Sequence, residues 1–239
     1  MAKTLLKENL VNLLELKNQT DSSADLFLYG DIVSSWWGAW DKEDQYPAAI
    51  RDFIAAAGGK NINVHINSNG GSVFAGIAIY NMLENYSGEV TVYIDGIAAS
   101  IASVIAMAGD RIVMRTGSAL MVHKPMFCLY GGYNAEEMRD IAAQLDAVQE
   151  CIMQVYDAKK KSDVQLEEIE EIVNAETWLT SQEAQKYFDI EEESMQAVAC
   201  ESEFMLKFIN MPEEYRLKAE EKAEAEAKLA LLELQGTEL

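Results

Sequence analysis

The sequence is poor in the residues that mark several large protein classes. Of its 239 residues only three are cysteine, three are proline and two are histidine. Because the cysteines (Cys128, Cys151 and Cys200) are odd in number and form no C-x-x-C pair, a disulfide framework and a zinc knuckle are excluded. We therefore expect a reduced, cytoplasmic protein. Two histidines, His65 and His123, leave little for a transition-metal site, and no loop has calcium-ligand spacing, so we expect neither a metal nor a cofactor.

Basic side chains are also scarce. Nineteen Lys and Arg residues stand against forty Asp and Glu residues, which gives a formal net charge of −21. This charge repels phosphate backbones and anionic lipid headgroups, so we expect no nucleic-acid and no membrane partner. The longest weakly polar stretch, residues 90–109, changes at Asp95 from a β-branched strand pattern to a small-residue helix pattern. It predicts a buried strand followed by a buried helix, not a membrane span.

Strand and helix patterns alternate through most of the chain. Residues 1–24 predict an amphipathic helix and a linker without a signal-peptide cleavage site. Near-continuous apolar strands followed by helices over 25–190 predict an α/β domain with a parallel or mixed sheet covered by helices. The extension 191–239 is acidic and predicted to be mainly helical. An aromatic, glycine-rich segment at 127–133 is interpreted as a hairpin.

Two pairs of residues have the spacing of helix capping boxes. They are Asn134 with Glu137 and Thr180 with Glu183. In a capping box the first side chain bonds the backbone three residues later, and the acidic side chain bonds back. We therefore predict that helices begin at Asn134 and Thr180.

Ser100 follows a predicted strand and precedes a predicted helix, with Ala98 and Ala102 two positions away on either side. Nucleophile elbows place a serine at such a turn, where only small neighbours fit and the helix N-terminus favours developing negative charge. The alternative is that Ser100 is a small packing residue. His123 stands at the end of an apolar strand, where catalytic groups of α/β sheets often lie, whereas His65 is interior to a strand and is interpreted as a packing residue.

The turn Asn69-Gly70-Gly71 joins a predicted strand to a predicted helix. Its glycines allow backbone N–H groups to point at an anion, which is either a nucleotide phosphate or the oxyanion of acyl transfer. Asp95 stands roughly where a ribose-binding acid would be, although no G-x-G-x-x-G or GK[ST] motif is present. A plain tight turn is the third interpretation. An oxyanion site, a nucleophile and a base are together the minimum set for acyl transfer.

Four stretches, in this order, resemble the Clp peptidase family of serine endopeptidases: HINSNGGSVFAGIAIYNML, GIAASIASVIAMAG, SALMVHKP and ETWLTSQEA. They are most similar to its phage-encoded branch, the head maturation (prohead) proteases. The resemblance implies a crotonase-like spiral of βαβ units, with Ser100 as nucleophile and His123 as general base. It also implies that the backbone N–H groups of Gly71 and Ile101 form the oxyanion hole.

The third member of the implied triad departs from the family. The family's aspartate falls on Glu176, and Asn174 lies close by. Glutamate can orient an imidazole as aspartate does, but its extra methylene moves the carboxylate. Both Glu176 and Asn174 therefore stay candidates for this role.

The resemblance further implies a homo-oligomeric ring, commonly a heptamer stacked in pairs, and phage scaffold or capsid protein as substrate. Trp36, Trp37 and Trp40 are compatible with subunit contacts or with an ordinary core. No ATPase-docking feature is recognisable, so an ATPase partner is left open. Two other functions compete: a crotonase-type acyl-CoA enzyme, which needs no Ser–His pair, and a catalytically silent ring-forming assembly protein.

Overall fold

A computed structural model describes residues 22–35 and 44–193. The expected first helix, Trp36, Trp37, Trp40, Cys200 and residues 194–239 of the acidic C-terminal extension lie outside the described residues. The first three residues of that extension, 191–193, are not helical but belong to the last strand of the sheet, so the predicted boundary at 190/191 is wrong. No helix in the described ranges combines the length and the apolar character needed to cross a membrane. Cys128 and Cys151, the two cysteines within these ranges, are exposed free thiols.

The described part of the chain is a seven-stranded sheet with helices, so the predicted α/β class is confirmed. The strands are β1 Ser23–Tyr29, β2 Asn61–Ser68, β3 Val90–Ala99, β4 Arg111–Arg115, β5 Ala119–Val122, β6 Thr177–Leu179 and β7 Ile190–Glu193. The helices are α1 Pro47–Ala57, α2 Val73–Glu84, α3 Ile101–Ala106, α4 Ala135–Lys159, α5 Leu166–Asn174 and α6 Ser181–Ala184.

The sheet is parallel except at β6. Its main path runs β1-β2-β3-β4-β7, with every neighbouring pair parallel. β5 pairs in parallel with the last residues of β3, beyond the part of β3 that pairs with β4, and β6 pairs antiparallel with β5. The ends of β3, β5 and β6 are thereby brought side by side, although β6 begins 78 positions after β3 ends (177 against 99).

The core explains why these segments adopt these elements. The apolar side chains of β2, β3 and β5 pack with the apolar sides of α1, α2 and α3 into one buried cluster. All four residues of β5 are buried, which is typical of a strand covered on both faces. Helix α3 is buried at every position, as predicted for its small and apolar residues.

Local signals set several helix boundaries. Both predicted capping boxes are present: Asn134 opens α4 with Glu137, and Thr180 opens α6 with Glu183. The predicted hairpin at 127–133 is wrong, because this segment contains no strand. Its glycines, Gly131 and Gly132, lie in open space, and no neighbouring strand is there to supply the hydrogen bonds of a ladder.

Candidate active site

Ser100 lies between β3 and α3, at a turn in which the chain reverses from strand to helix within one residue. Its backbone has φ 56° and ψ −128°, a conformation that costs energy for any residue other than glycine. Ala98 and Ala99 before it and Ala102 after it are essentially fully buried. Larger side chains at these positions would not fit, so the small residues around Ser100 have a geometric reason.

His123 directly follows β5, and its ring reaches Ser100. The distance between His123 Nε2 and Ser100 Oγ is 2.7 Å, a short hydrogen bond. The pairing of β5 with β3 sets this position, because Ala99 lies opposite Met121 and the Ser100 N–H donates to the Met121 carbonyl at 3.0 Å. Two adjacent parallel strands therefore end with a hydroxyl and an imidazole in contact.

The environment of His123 keeps its ring uncharged near neutral pH. Only 8% of the residue is exposed, and this burial lowers the pKa of the imidazole below its usual value of 6.5. The carboxylate of Glu176 acts in the opposite direction and raises the pKa, but by less than burial lowers it. The neutral ring can accept a proton from Ser100.

Glu176 reaches His123 through the pairing of β6 with β5. Val122 lies opposite Thr177, and one further step along this antiparallel register sets Glu176 opposite His123. Asn174 is exposed at the end of α5, where its Oδ1 accepts a hydrogen bond from Gln149 at 3.3 Å. Of the two sequence candidates for the third role, the carboxylate of Glu176 is the one whose charge acts on the imidazole.

The glycine turn after β2 packs directly against Ser100. A Cβ added to Gly70 would lie 2.9 Å from the Ser100 Cβ and 3.1 Å from the backbone nitrogen of Ile101. A Cβ added to Gly71, whose φ is 142°, would lie 2.2 Å from the carbonyl oxygen of Ile32. Only glycine fits at either position, so the turn is shaped for close approach to the serine.

Backbone hydrogen bonds hold this turn in place. The two expected oxyanion donors, the N–H groups of Gly71 and Ile101, do not take part in these bonds. The Ile32 N–H donates to the Gly70 carbonyl, and the Ser72 N–H donates to the Ile32 carbonyl, each at 2.7 Å. The Gly71 N–H takes part in neither bond. Ile101 is the first residue of α3, where an N–H has no partner within the helix. The anchoring role of Ile32 was missed from the sequence, because an isolated backbone bridge leaves no side-chain pattern.

Asp95 and His65 belong to a different part of the molecule, among the partly exposed side chains of the sheet. The His65 ring stacks between Phe27 and Tyr93, with centroids 4.7 Å and 5.1 Å away, so it packs as expected. Its Nδ1 lies 2.8 Å from Asp95 Oδ2, and this carboxylate also accepts the Tyr29 hydroxyl at 2.9 Å. Arg115 Nε lies 3.3 Å from the other oxygen, Oδ1, so protein groups account for the hydrogen bonding of Asp95 and nothing in its surroundings supports the interpretation as a ribose-binding acid.

The arrangement contains the side chains and backbone donors that acyl transfer uses. No cluster of three or more His, Cys, Asp or Glu side chains with metal-binding geometry occurs in the ranges 22–35 and 44–193. A polarised hydroxyl, a buried neutral imidazole, a carboxylate that acts on it and two backbone donors are the groups that peptide-bond hydrolysis by a serine requires.

The fold and the site together define an α/β protein with a Ser–His pair of the serine-hydrolase type at the ends of two parallel strands. The family model described as Clp protease matches residues 49–191, more than half of the chain. The chain belongs to the Clp protease family. This assignment favours a protease over the acyl-CoA enzyme that the sequence left as an alternative.

Curated relatives carry the same family name. The chain is 33% identical over 137 residues to the ATP-dependent Clp protease proteolytic subunit of Bacteroides fragilis, covering 56% of this chain and 64% of that protein. It is 32% identical over 130 residues to the protein of that name from Leuconostoc citreum, covering 54% and 64%. It is 30% identical over 135 residues to the Streptococcus mutans protein of the same name, covering 56% of this chain and 68% of that protein. The chain thus spans less than two thirds of the length of the Bacteroides fragilis and Leuconostoc citreum proteins.

Proposed function

We propose that this chain is a serine endopeptidase in which Ser100 is the nucleophile and His123 the general base. The observation that carries the proposal is the 2.7 Å contact between Oγ of Ser100, which is partly exposed, and Nε2 of the buried His123. A serine hydroxyl is a weak nucleophile until an adjacent base removes its proton, and this contact supplies that base. The membership in the Clp protease family supports the same chemistry.

In the proposed reaction the Ser100 oxygen attacks the carbonyl carbon of a peptide bond while its proton passes to His123 Nε2. The tetrahedral intermediate collapses when the carbon–nitrogen bond breaks and the imidazolium gives that proton to the leaving amine. This leaves an ester between Ser100 and the acyl half of the substrate. Water, deprotonated by His123, then attacks the ester, and the proton returns to Ser100 as the acid is released.

In the proposed reaction the site stabilises both charges that develop, the negative charge of the oxyanion and the positive charge of the imidazolium. The backbone N–H groups of Gly71 and Ile101 bind the oxyanion of the tetrahedral intermediate, which forms beside Ser100. The carboxylate of Glu176 stabilises the imidazolium, in agreement with its effect on the pKa of His123. We assign the third triad role to Glu176 in preference to Asn174, whose side chain bonds Gln149.

For the biological setting we propose a phage or prophage head maturation protease that cleaves scaffold or capsid protein, in the host cytoplasm or the prohead. The four ordered motifs that resemble this branch support the proposal. We further propose that the protease domain predicted over 25–190, which β1 and β7 extend to Ser23 and Glu193, belongs to a ring-shaped homo-oligomer, commonly a heptamer, with the rest of 1–24 and of 191–239 as appendages. The relatives are named as ATP-dependent proteolytic subunits, but the proposal covers only peptide-bond hydrolysis by this chain.

A fluorophosphonate probe tests the proposal directly. It should modify Ser100 stoichiometrically, as read by intact mass and peptide mapping, because activation needs a base and an oxyanion hole around one hydroxyl. Ser100→Ala should abolish labelling and lower kcat on an unstructured peptide by about 10⁴ to 10⁶. The exposed Ser87→Ala is the matched control and should label normally. Labelling of another serine, or none in the folded wild type, contradicts the proposal, and the latter outcome supports a silent assembly protein.

The phage assignment needs its own substrate test. Co-expression of the chain with phage scaffold or capsid protein should yield discrete fragments that are absent with Ser100→Ala. Cleavage of unstructured peptide without any cleavage of scaffold or capsid protein would keep the endopeptidase and reject this setting.

A further inference from the structure

Two hydroxyl groups that the proposed reaction does not use lie behind the nucleophile. Ser103 is the third residue of α3 and is fully buried, and Tyr156, near the end of α4, is 1% exposed. The Ser103 Oγ lies 2.7 Å from the Tyr156 hydroxyl and donates a hydrogen bond to the Ser100 carbonyl at 2.5 Å. A buried chain of hydrogen bonds thus connects Tyr156 in α4, through the Ser103 hydroxyl, to the backbone carbonyl of Ser100.

The number of hydroxyl protons determines which group donates and which accepts in each of these two hydrogen bonds. Ser103 has one hydroxyl proton, and a carbonyl oxygen can only accept, so that proton points to Ser100. The hydrogen bond between the two hydroxyls must then be donated by Tyr156. Burial raises the pKa of Tyr156 well above its ordinary value, so the phenol keeps its proton at neutral pH.

The carbonyl of Ser100 belongs to the same peptide unit as the N–H of Ile101. A trans peptide is planar, so its C=O and N–H point in opposite directions, and fixing one fixes the other. Ser103 bonds this carbonyl twice, through its hydroxyl and through its N–H at 3.0 Å. Holding the carbonyl toward Ser103 therefore aims the Ile101 N–H away from α3.

We propose that Ser103 and Tyr156 are positioning residues that orient the Ser100–Ile101 peptide and thereby the Ile101 N–H of the oxyanion hole. This inference rests on the proposed endopeptidase function and deepens it. The strained φ of Ser100 makes such support necessary, because a residue held in a sparsely populated conformation relaxes when the contacts around it are removed.

The test uses Tyr156→Phe, Ser103→Ala and the double variant in the full chain. Each single variant should lower kcat by about 10-fold and leave KM within about 2-fold, since a hydrogen bond that matters mainly in the transition state is lost. The kcat of the double variant should be no lower than that of the worse single variant, because both substitutions break the same chain of hydrogen bonds. The acid limb of the pH profile should not move, since His123 is untouched.

An oxyanion mimic separates positioning from general loosening of the fold. A peptide boronate should bind each variant more weakly by the factor lost in kcat/KM, whereas the cleaved product peptide should bind as it does to the wild type. The matched control is Tyr80→Phe, which removes the hydroxyl of a buried tyrosine in α2 that takes no part in the hydrogen bonds between Tyr156, Ser103 and Ser100. It should leave kcat and boronate affinity unchanged.

Three outcomes overturn the inference. They are wild-type kcat and boronate affinity in both single variants, an equal loss in Tyr80→Phe, and full additivity in the double variant. If Tyr156→Phe fails to fold, Ser103→Ala, which removes a single oxygen atom, decides the question. Fluorophosphonate labelling of the wild type distinguishes the two failures, because an unlabelled wild type rejects the proposed function, whereas a labelled wild type with unaffected variants rejects only this inference.

Discussion

Glu176 has a left-handed backbone, φ 52°, which is uncommon for a residue with a side chain. It follows the end of α5, and its N–H donates to the Val173 carbonyl at 3.3 Å. Glycine is the usual residue at such a helix end, because it adopts this conformation without strain. A glutamate at this place is consistent with a carboxylate that is needed beside His123.

The first prediction concerns Glu176→Gln, which removes the charge and keeps the shape. The variant should lose a factor of about 10² to 10⁴ in kcat, because the imidazolium is no longer stabilised. The acid limb of its pH–activity profile should move to lower pH, since the carboxylate raises the pKa of His123 in the wild type. The measurement is kcat/KM against pH. Asn174→Ala is the control and should lower kcat much less. A larger loss of kcat in Asn174→Ala than in Glu176→Gln would transfer the third role to Asn174.

The second prediction is the pH dependence of the wild type. Activity should rise with pH to a plateau, with a midpoint below 6.5, because burial lowers the pKa of His123 and the neutral ring is the base. With only two histidines in the sequence, NMR titration of the ring protons can assign this pKa. A midpoint at or above 6.5 in the NMR titration would contradict it.

The same shift has a consequence for stability. The unfolded chain binds a proton at His123 near pH 6.5, whereas the folded chain binds it only at lower pH. The stability that His123 contributes is thus fully present above about pH 6.5 and is lost as the pH falls toward the folded pKa.

At the scale of the elements, the glycine turn between β2 and α2 carries the Gly71 N–H that we propose as an oxyanion donor. The third prediction is that Gly71→Ala lowers kcat by at least about 10²-fold, the cost of losing one oxyanion donor, because its methyl group would meet the Ile32 carbonyl oxygen. The measurement is kcat together with the urea midpoint, which should also fall. Gly132→Ala is the control, since a Cβ there meets nothing within 4 Å, and it should change neither. Full activity in Gly71→Ala would exclude this turn from the site.

The elements also show how far the sequence could predict this molecule. Local patterns predicted the helix starts at Asn134 and Thr180, the strands that carry the core, and the turn at Ser100. Contacts between distant residues left no such pattern. The bond between Ser103 and Tyr156 joins positions 53 apart, and the bridge at Ile32 is made by backbone alone.

The predicted hairpin at 127–133 failed for a related reason. Aromatic residues around a pair of glycines suit a hairpin, but a strand forms only where a partner offers its backbone groups. Glu176 and Asn174 could not be distinguished from the sequence, because it does not contain the register of β6 on β5, which sets Glu176 opposite His123. Tertiary pairing, not local propensity, completed the site.

At the scale of the whole molecule, assembly has to overcome a net charge of −21 on each chain. The fourth prediction is that the protein forms a ring-sized oligomer in light scattering, and that added salt favours it by screening this repulsion. Exposed apolar side chains at Met126, Phe127 and Tyr130 give a single copy surface that contact with other copies could cover. A fully active monomer at low micromolar concentration and high salt would contradict the ring and leave the Ser–His pair intact.

The short strand β5 limits how the length of this chain can change over evolution. Its four buried residues lie between β3 and β6, and His123 comes directly after them. Because side chains alternate along a strand, one inserted or deleted residue would turn the imidazole to the opposite side of the sheet, away from both Ser100 and Glu176. The exposed segment 124–133 has no such constraint. Active homologues should therefore differ in length after His123 and keep an invariant spacing before it.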